Sequence, residues 1–390
     1  MSLRLLLSCG EASGDLYAGA LTRELRDLDP SIVVAGLGGP QLEAAGGQLL
    51  DDYRELSVTG LIEWIPKLPR LLATRRKLVD AARAQRPDAL VLIDFSGFNF
   101  RLAPAIKRLG VPVVYYISPQ IWASRPGRLA TMRAIADRVL VIFPFEAAMY
   151  EHGGVPVEFV GHPLIDLTKP SVSRDSFLAA RGLRPSATTV AMLPGSRPNE
   201  VSCMLPTLVA AAGLIRQAIP DAQFVVARAP RLDDALFDAL RGGQAGGPGF
   251  TVVEGDTDTV LASSDVALTA SGTATVQAAL HDTPMVVVYR MSPLSFQLAR
   301  RVVKVEAIGM VNLIAGDKIV PELVQEAFTA EAVAREAIDI LTNPARAARI
   351  REGLASVRAK LGGPGASRRA AEAILRVVRS RQSSVVSRQS

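Results

Sequence analysis

Short, uninterrupted apolar runs, each followed by turn residues and then a helical pattern, recur along the whole chain. Leu3 to Ser8, Ile32 to Gly36, Ala89 to Ile93, Val113 to Ile117 and Val139 to Ile142 form a first series. Val190 to Leu193, Gln223 to Ala227, Phe250 to Val253, Val266 to Thr269 and Met285 to Tyr289 form a second. A strand that is apolar on both faces has no solvated side, which suits a parallel sheet covered by helices above and below. The alternation therefore predicts an α/β chain built from two Rossmann-like, doubly wound parallel-sheet domains. Thr168 to Ser176 (TKPSVSRDS) separates the series with the polar, proline-bearing composition of a linker. The expected boundaries are 1–167 and 168–345, with C-terminal helices over 346–381 packing back across the domains and a frayed tail over 382–390. Gly362-Gly363-Pro364-Gly365 breaks the last helical region, and Gly242 to Gly249 reads as a flexible loop.

The stretch Thr188 to Val201 (TTVAMLPGSRPNEV) reads as a strand, a turn and a helix start. Pro194 ends the strand because it lacks a ladder N–H, and Pro198 suits the first turn of the helix. Gly195 lets the backbone approach a ligand, Ser196 adds a hydroxyl, and Arg197 holds a cation where helix N–H groups already face outward. Such a place favours a phosphate or diphosphate. An ordinary strand–turn–helix joint with a solvated arginine fits the same residues equally well.

Composition narrows the partners without naming them. With 390 residues and 49% hydrophobic content the chain can bury two cores, and no run of 18 apolar residues suggests a membrane span. Lys plus Arg is 44 against 38 acidic residues, a net charge of +6 that favours anionic partners. Aromatics are only 5% and no basic block interleaves with them, so nucleic-acid binding is not expected. Cys9 and Cys203 make no disulfide framework or metal cluster. Leu6-Leu7-Ser8-Cys9 resembles a lipoprotein cleavage site, but the apolar run is too short and Arg4 interrupts it. Reduced thiols and a cytoplasmic chain are the expectation.

Open parallel sheets bind ligands at the carboxyl ends of their strands. Glu11, Asp94, Ser118, His162, Arg197 and Ser271 each follow a predicted strand. Two halves facing each other would line one cleft with all six, the architecture of nucleotide-sugar glycosyltransferases of the two-Rossmann (GT-B) type. Neither half carries GxGxxG, which disfavours a dehydrogenase.

The motifs resemble one family. Gly10-Glu11-Ala12-Ser13-Gly14-Asp15, Ile93-Asp94 with Phe98-Asn99, Tyr116 to Ala123 (YISPQIWA) and Gly161-His162-Pro163 resemble the N-terminal half of lipid-A-disaccharide synthases. Leu193 to Arg197 (LPGSR), Ser271-Gly272-Thr273-Ala274, Tyr289-Arg290-Met291 and Asn312 to Gly316 (NLIAG) resemble their C-terminal half. The resemblance implies transfer of a diacylated glucosamine from its UDP donor to a diacylglucosamine 1-phosphate acceptor. The implied product is the β-1,6-linked lipid A precursor, formed with inversion. The family usually has Glu where this chain has Gln277, and it favours Pro in the segment that here reads Phe95-Ser96-Gly97.

Site roles follow from the residues and the resemblance together. Gly195, Ser196 and Arg197 suit the departing diphosphate, and Ser271, Gly272, Thr273 and Ala274, opening the helix that holds Gln277, suit it from a second helix start. A plain Ser/Thr helix cap is the commoner meaning of that second motif alone. Asn312 and Gln325 are donor-site residues by resemblance only. For the base, Asp94 at a strand end is expected to be partly desolvated and so more basic, although it is as well suited to cap the next turn. His162 is the rival base, and Glu11 is expected to orient the acceptor. Asp256-Thr257-Asp258 resembles a glycosyltransferase metal motif but precedes a helix as caps do, so neither metal nor cofactor is expected.

Leu61 to Lys77 (LIEWIPKLPRLLATRRK) sets Trp64, Ile65, Leu68, Leu71 and Leu72 beside Lys67, Arg70, Arg75, Arg76 and Lys77. This mixture suits contact with an anionic inner-membrane surface, and Pro66 and Pro69 argue against one regular helix. Leu294, Phe296, Leu298, Arg300, Arg301 and Lys304 form a second candidate patch. A homodimer is left open. The rival functions are a UDP-N-acetylglucosamine 2-epimerase-like enzyme on the same fold and a non-catalytic nucleotide-sugar-binding protein.

Overall fold

The computed structural model describes residues 2–56, 64–119, 121, 127–240, 249–291 and 307–386; for 64–66 and 383–386 only the helical backbone is described. The chain divides into two compact units, Met1–Pro163 with Leu361–Ser390, and Leu164–Lys360.

The first unit runs β1 (Arg4–Ser8), α1 (Ala12–Leu28), β2 (Val33–Gly38), α2 (Pro40–Ala44), β3 (Gln48–Asp52), α3 (Trp64–Gln85), β4 (Ala89–Ile93) and α4 (Ser96–Lys107). It continues with β5 (Val113–Tyr116), α5 (Arg128–Ile135), β6 (Arg138–Val141), α6 (Pro144–His152) and β7 (Val157–Phe159). The strand order is β3-β2-β1-β4-β5-β6-β7, parallel throughout. Every residue of β4 is buried, because helices cover both faces of the sheet. The edge strands β3 (QLLDD) and β7 (VEF) are half polar, so an apolar-run reading passes over them.

The second unit opens with the short helices α7 (Leu164–Leu167) and α8 (Arg174–Ala179), then β8 (Thr189–Leu193), α9 (Pro198–Ala218), β9 (Gln223–Arg228), β10 (Phe250–Glu254) and α10 (Thr257–Ala262). After these come β11 (Val266–Ala270), α11 (Thr273–Leu280), β12 (Met285–Tyr289), α12 (Met310–Ala315), β13 (Glu322–Val324), α13 (Ala330–Thr342) and α14 (Pro344–Lys360). The order β10-β9-β8-β11-β12-β13 is again all parallel. Helix α9 is long and apolar enough to cross a membrane by composition alone. It packs instead on α13 and buries Val201, Met204, Leu205, Leu208 and Ile215, as a core helix does.

Several expectations change. Thr168 to Ser176 is tied into the second unit rather than running free: the Ser171 N–H donates to Thr259 Oγ1 at 2.7 Å, and Arg174 pairs with Asp265 at 3.0 Å. The second unit therefore begins at Leu164 and keeps α14 through Lys360, beyond 345. The final helix, α15 (Ala366–Val386), belongs to the first unit, where it packs on α1; helix persists to Val386, past the expected tail start. Arg369 Nε donates to the Val160 carbonyl at 2.8 Å and Arg376 pairs with Glu158 at 2.6 Å. Helix α3 forms despite its prolines. Pro66 lies in the first turn, where an N–H has no helical partner, and Pro69 costs one further bond. The loop Gly242 to Gly249 lies outside the described residues except for Gly249.

Candidate active site

Each sheet reverses its strand order once, between β1 and β4 in the first unit and between β8 and β11 in the second. Chains leaving adjacent strands there turn to opposite faces, which opens a crevice at the carboxyl ends. Glu11 and Asp94 follow β1 and β4; Gly195 to Arg197 and Ser271 to Ala274 follow β8 and β11. These residues lie at the reversal point of their own unit, whereas Ser118 follows β5, and His162 and Gln325 follow the edge strands β7 and β13.

In the first unit the backbone at this point is strained. Asp94 and Phe95 have φ of 44° and 46°, and Ile117, after the neighbouring β5, has φ 59°. Aspartate tolerates the left-handed region; phenylalanine and β-branched isoleucine do not adopt it without support. The support is a buried network. Asn99 Nδ2 donates to the Asp94 carbonyl at 2.8 Å, Tyr115 OH donates to the same oxygen at 2.6 Å, and Ser8 Oγ donates to Asn99 Oδ1 at 2.7 Å. The Phe95 ring lies over Gly10, where an added Cβ would come within 2.1 Å of it. Gly10 therefore serves this ring rather than a phosphate. Asn99 and Tyr115 had no role in the sequence reading; Phe98-Asn99, following Asp94 so closely, was the available signal.

Two expectations for this unit are corrected. The Asp94 side chain is exposed rather than partly desolvated. His162 is 2% exposed, and burial among side chains that include Phe143 and Tyr17 pushes its pKa down to about 3. It is neutral at ordinary pH and a weak base, not the well-matched one expected. Asp15, in the same motif as Glu11, is buried and accepts from Gly39, Gln41 and Leu42 N–H groups at 2.7, 2.9 and 3.2 Å, capping α2. Glu11 is partly buried at the N-cap of α1, and the Ser118 hydroxyl donates to buried Glu146.

In the second unit glycines make the turns. Gly195 has φ 127°, and an added Cβ would lie 2.5 Å from Glu200 Cβ. Glu200 does more than meet the helix dipole. Its carboxylate accepts the Ser196 N–H at 3.0 Å and pairs with Arg197 at 3.3 Å. One N–H assigned to an anion is thus occupied, while the Arg197 side chain keeps 41% exposure at the start of α9. Ser271 directs its proton to the Ile308 carbonyl at 2.7 Å and so offers an anion no donor from its side chain. Gly272, at φ 151°, leads to exposed Thr273 and to Ala274 in the first turn of α11, where backbone N–H groups have no partner within the helix.

The remaining donor-site residues divide. Asn312 is 2% exposed and its amide is spent inside the unit: Nδ2 donates to Val320 O and Glu322 Oε1, and Oδ1 accepts from Ile319 and Val320 N–H. It shapes a loop rather than offering a free amide. Gln325 sits at φ 53° and is 8% exposed, with an amide nitrogen that finds no partner among the described residues. Arg290 braces this turn through the Gln325 carbonyl at 3.4 Å and Thr207 Oγ1 at 3.1 Å. Gln277 Nε2 donates to Asp258 at 3.0 Å. Asp256 caps α10 by accepting the Thr259 N–H at 3.3 Å.

On α3, Leu68 and Leu72 are 45% and 51% exposed, whereas Leu71 is 4% exposed and belongs to the core. Arg75 Nε donates to the Arg101 carbonyl, and Arg76 is exposed. The side chains of Trp64 and Ile65, the segment Leu294 to Lys304, and Gln120, Trp122 and Ala123 lie outside the described residues.

The family model described as lipid-A-disaccharide synthetase matches residues 5–377. The lipid-A-disaccharide synthase of Anaeromyxobacter sp. (strain K) is 45% identical over 377 residues, covering 96% of this chain and 98% of that one. That of Geobacter sulfurreducens is 40% identical over 377 residues, covering 97% and 98%. Among solved structures, a UDP-GlcNAc 2-epimerase from Neisseria meningitidis, bound to UDP-GlcNAc, superimposes with a TM-score of 0.66 at 12% identity, covering 96% of this chain and all of that one. At that identity the likeness speaks for the two-sheet α/β fold alone. The sequence kinship is of another order, and on it this chain belongs to the lipid-A-disaccharide synthase family.

Proposed function

We propose that the chain is an inverting glycosyltransferase that joins UDP-2,3-diacylglucosamine to 2,3-diacylglucosamine 1-phosphate, giving the β-1,6-linked lipid A disaccharide precursor and UDP. The observation that carries this reading is 40–45% identity to lipid-A-disaccharide synthases along nearly the whole chain. The strand-end chemistry supports it. The acceptor 6-hydroxyl gives its proton to Asp94 as its oxygen attacks the anomeric carbon. The bond from that carbon to the UDP oxygen breaks on the opposite face, and its electron pair leaves with the diphosphate. Arg197 and the first-turn N–H groups of α11 take up the developing charge. Gln325, with its leftover buried donor, binds the UDP-sugar, and Glu11 orients the acceptor. His162, held neutral, hydrogen-bonds rather than takes the proton. Incubating the purified chain with both lipids and resolving the products tests the reading: disaccharide and UDP in equal amounts support it. Conversion of UDP-N-acetylglucosamine to its 2-epimer without disaccharide formation would replace it.

Both lipids reside in a bilayer, so the enzyme works as a cytoplasmic protein held peripherally on the inner membrane. Exposed Leu68 and Leu72 beside Arg75 and Arg76 support this contact. Leu68→Ser with Leu72→Ser should reduce co-sedimentation with anionic vesicles several-fold at low salt. Unchanged sedimentation would move the contact elsewhere.

A further inference from the structure

Three side chains of the second unit meet at one carboxylate oxygen. Gln277 Nε2, on α11, donates to Asp258 Oδ1 at 3.0 Å, and His281 Nε2, at the end of the same helix, lies 3.1 Å from that oxygen. Asp258 belongs to the first turn of α10; its side chain is 22% exposed and that of His281 only 7%. A carboxylate can only accept, so the direction of both contacts is fixed. Gln277 must turn its amide nitrogen toward Asp258, and His281 must carry a proton on Nε2. The other end of the Gln277 amide, Oε1, is left as an acceptor that can no longer exchange places with a donor. An unanchored amide has no such preference, because its two ends are nearly the same in shape.

Position 277 follows the Ser271-Gly272-Thr273-Ala274 turn, where the resemblance leads one to expect a glutamate, which accepts in either orientation. We propose that Asp258 is a positioning residue that locks Gln277 with Oε1 toward a ribose hydroxyl of the donor's UDP moiety, so that aspartate and amide together do the work of one carboxylate. This rests on the UDP-sugar reading above. A glutamate at 277 beside Asp258 would bring two carboxylates within hydrogen-bond distance, and one would have to hold a proton.

The test is a double-mutant cycle on the full chain, read by UDP titration calorimetry and by donor KM against kcat. Asp258→Ala should weaken UDP binding about five- to tenfold, the effect of one lost hydrogen bond, and raise the donor KM alike while kcat changes by less than about twofold. Gln277→Glu alone should be similarly weak, because its carboxylate competes with Asp258. Combining Asp258→Ala with Gln277→Glu should restore UDP affinity to within about twofold of the parent. The pair Asp258→Asn with Gln277→Glu should do the same, which covers an Asp258→Ala chain that does not fold. Double variants no tighter than Asp258→Ala, or an Asp258→Ala effect confined to kcat, would overturn the positioning role. A parent chain that binds no UDP would overturn the donor-site reading and this inference with it, whereas a parent that binds UDP beside an unaffected Asp258→Ala would sink the inference alone.

Discussion

At the reversal point of the first sheet the chain turns through Asp94 and Phe95, with Ile117 beside them after β5, all with positive φ and none of them glycine; at that of the second it turns through Gly195 and Gly272. The second arrangement is low in strain, since glycine enters these regions freely and only its neighbours constrain it. The first costs of order 1–3 kcal/mol per residue and persists only because Asn99, Tyr115 and Ser8 hold it from below. Strain placed under the proposed base, and relaxed glycine turns under the proposed leaving-group site, suggest a division of labour. The proposed base is held to one position, while the proposed diphosphate turn keeps more backbone freedom.

That contrast can be broken in four places. Asp94→Asn keeps shape and removes the base, so turnover should fall roughly 10²–10⁴-fold with UDP affinity retained. Steady-state rates beside UDP calorimetry check this, and near-normal turnover would remove Asp94 from the chemistry. Arg197→Ala should cost about 2–4 kcal/mol of transition-state stabilisation and weaken UDP binding as well. Unchanged affinity would leave the second unit's anion site without its cation. Asn99→Leu removes the brace without touching substrate and should lower unfolding free energy by roughly 1–3 kcal/mol, because the Asp94 carbonyl and the Ser8 hydroxyl each lose a buried partner. If turnover stays at the parental level while stability drops, the strained turn does not position Asp94.

The last effect is absent near neutral pH and emerges only on acidification. The folded pKa of His162, about 3, lies below its usual 6.5, so above pH 6.5 the group is neutral in both states and contributes nothing. On acidification the unfolded chain takes the proton first, and stability falls by about 1.4 kcal/mol per pH unit until the folded value is reached. His162→Gln should remove that slope from the difference between variant and parent. Parallel stability curves would mean that His162 titrates normally.

The sequence exposes the central strands because burial on both faces leaves no charged position in β4, β8 or β11. Edge strands β3, β7 and β13 pair on one side only and carry acidic residues, so nothing in their composition separates them from loops. The strand-end residues were legible for the same reason as the strands. What they do was less so. Asn312 looks like surface polarity but is wholly engaged in the 319–322 loop, and no spacing rule reports a bond from Glu200 back to Ser196. The left-handed turn at Asp94 and Phe95 carries no glycine to announce it.

Helix α15 gives the molecule an order of assembly. The first unit contains residues from both sides of the second, so it begins to form first and is completed last. Domains usually fold as the ribosome releases them, N-terminal first. Here the sheet bearing Asp94 waits for a helix made after the whole second unit, and its α1 face stays uncovered through that interval. A chain cut after Lys360 would lose that cover from its N-terminal unit, and the damage would fall on the half farthest from the cut in sequence.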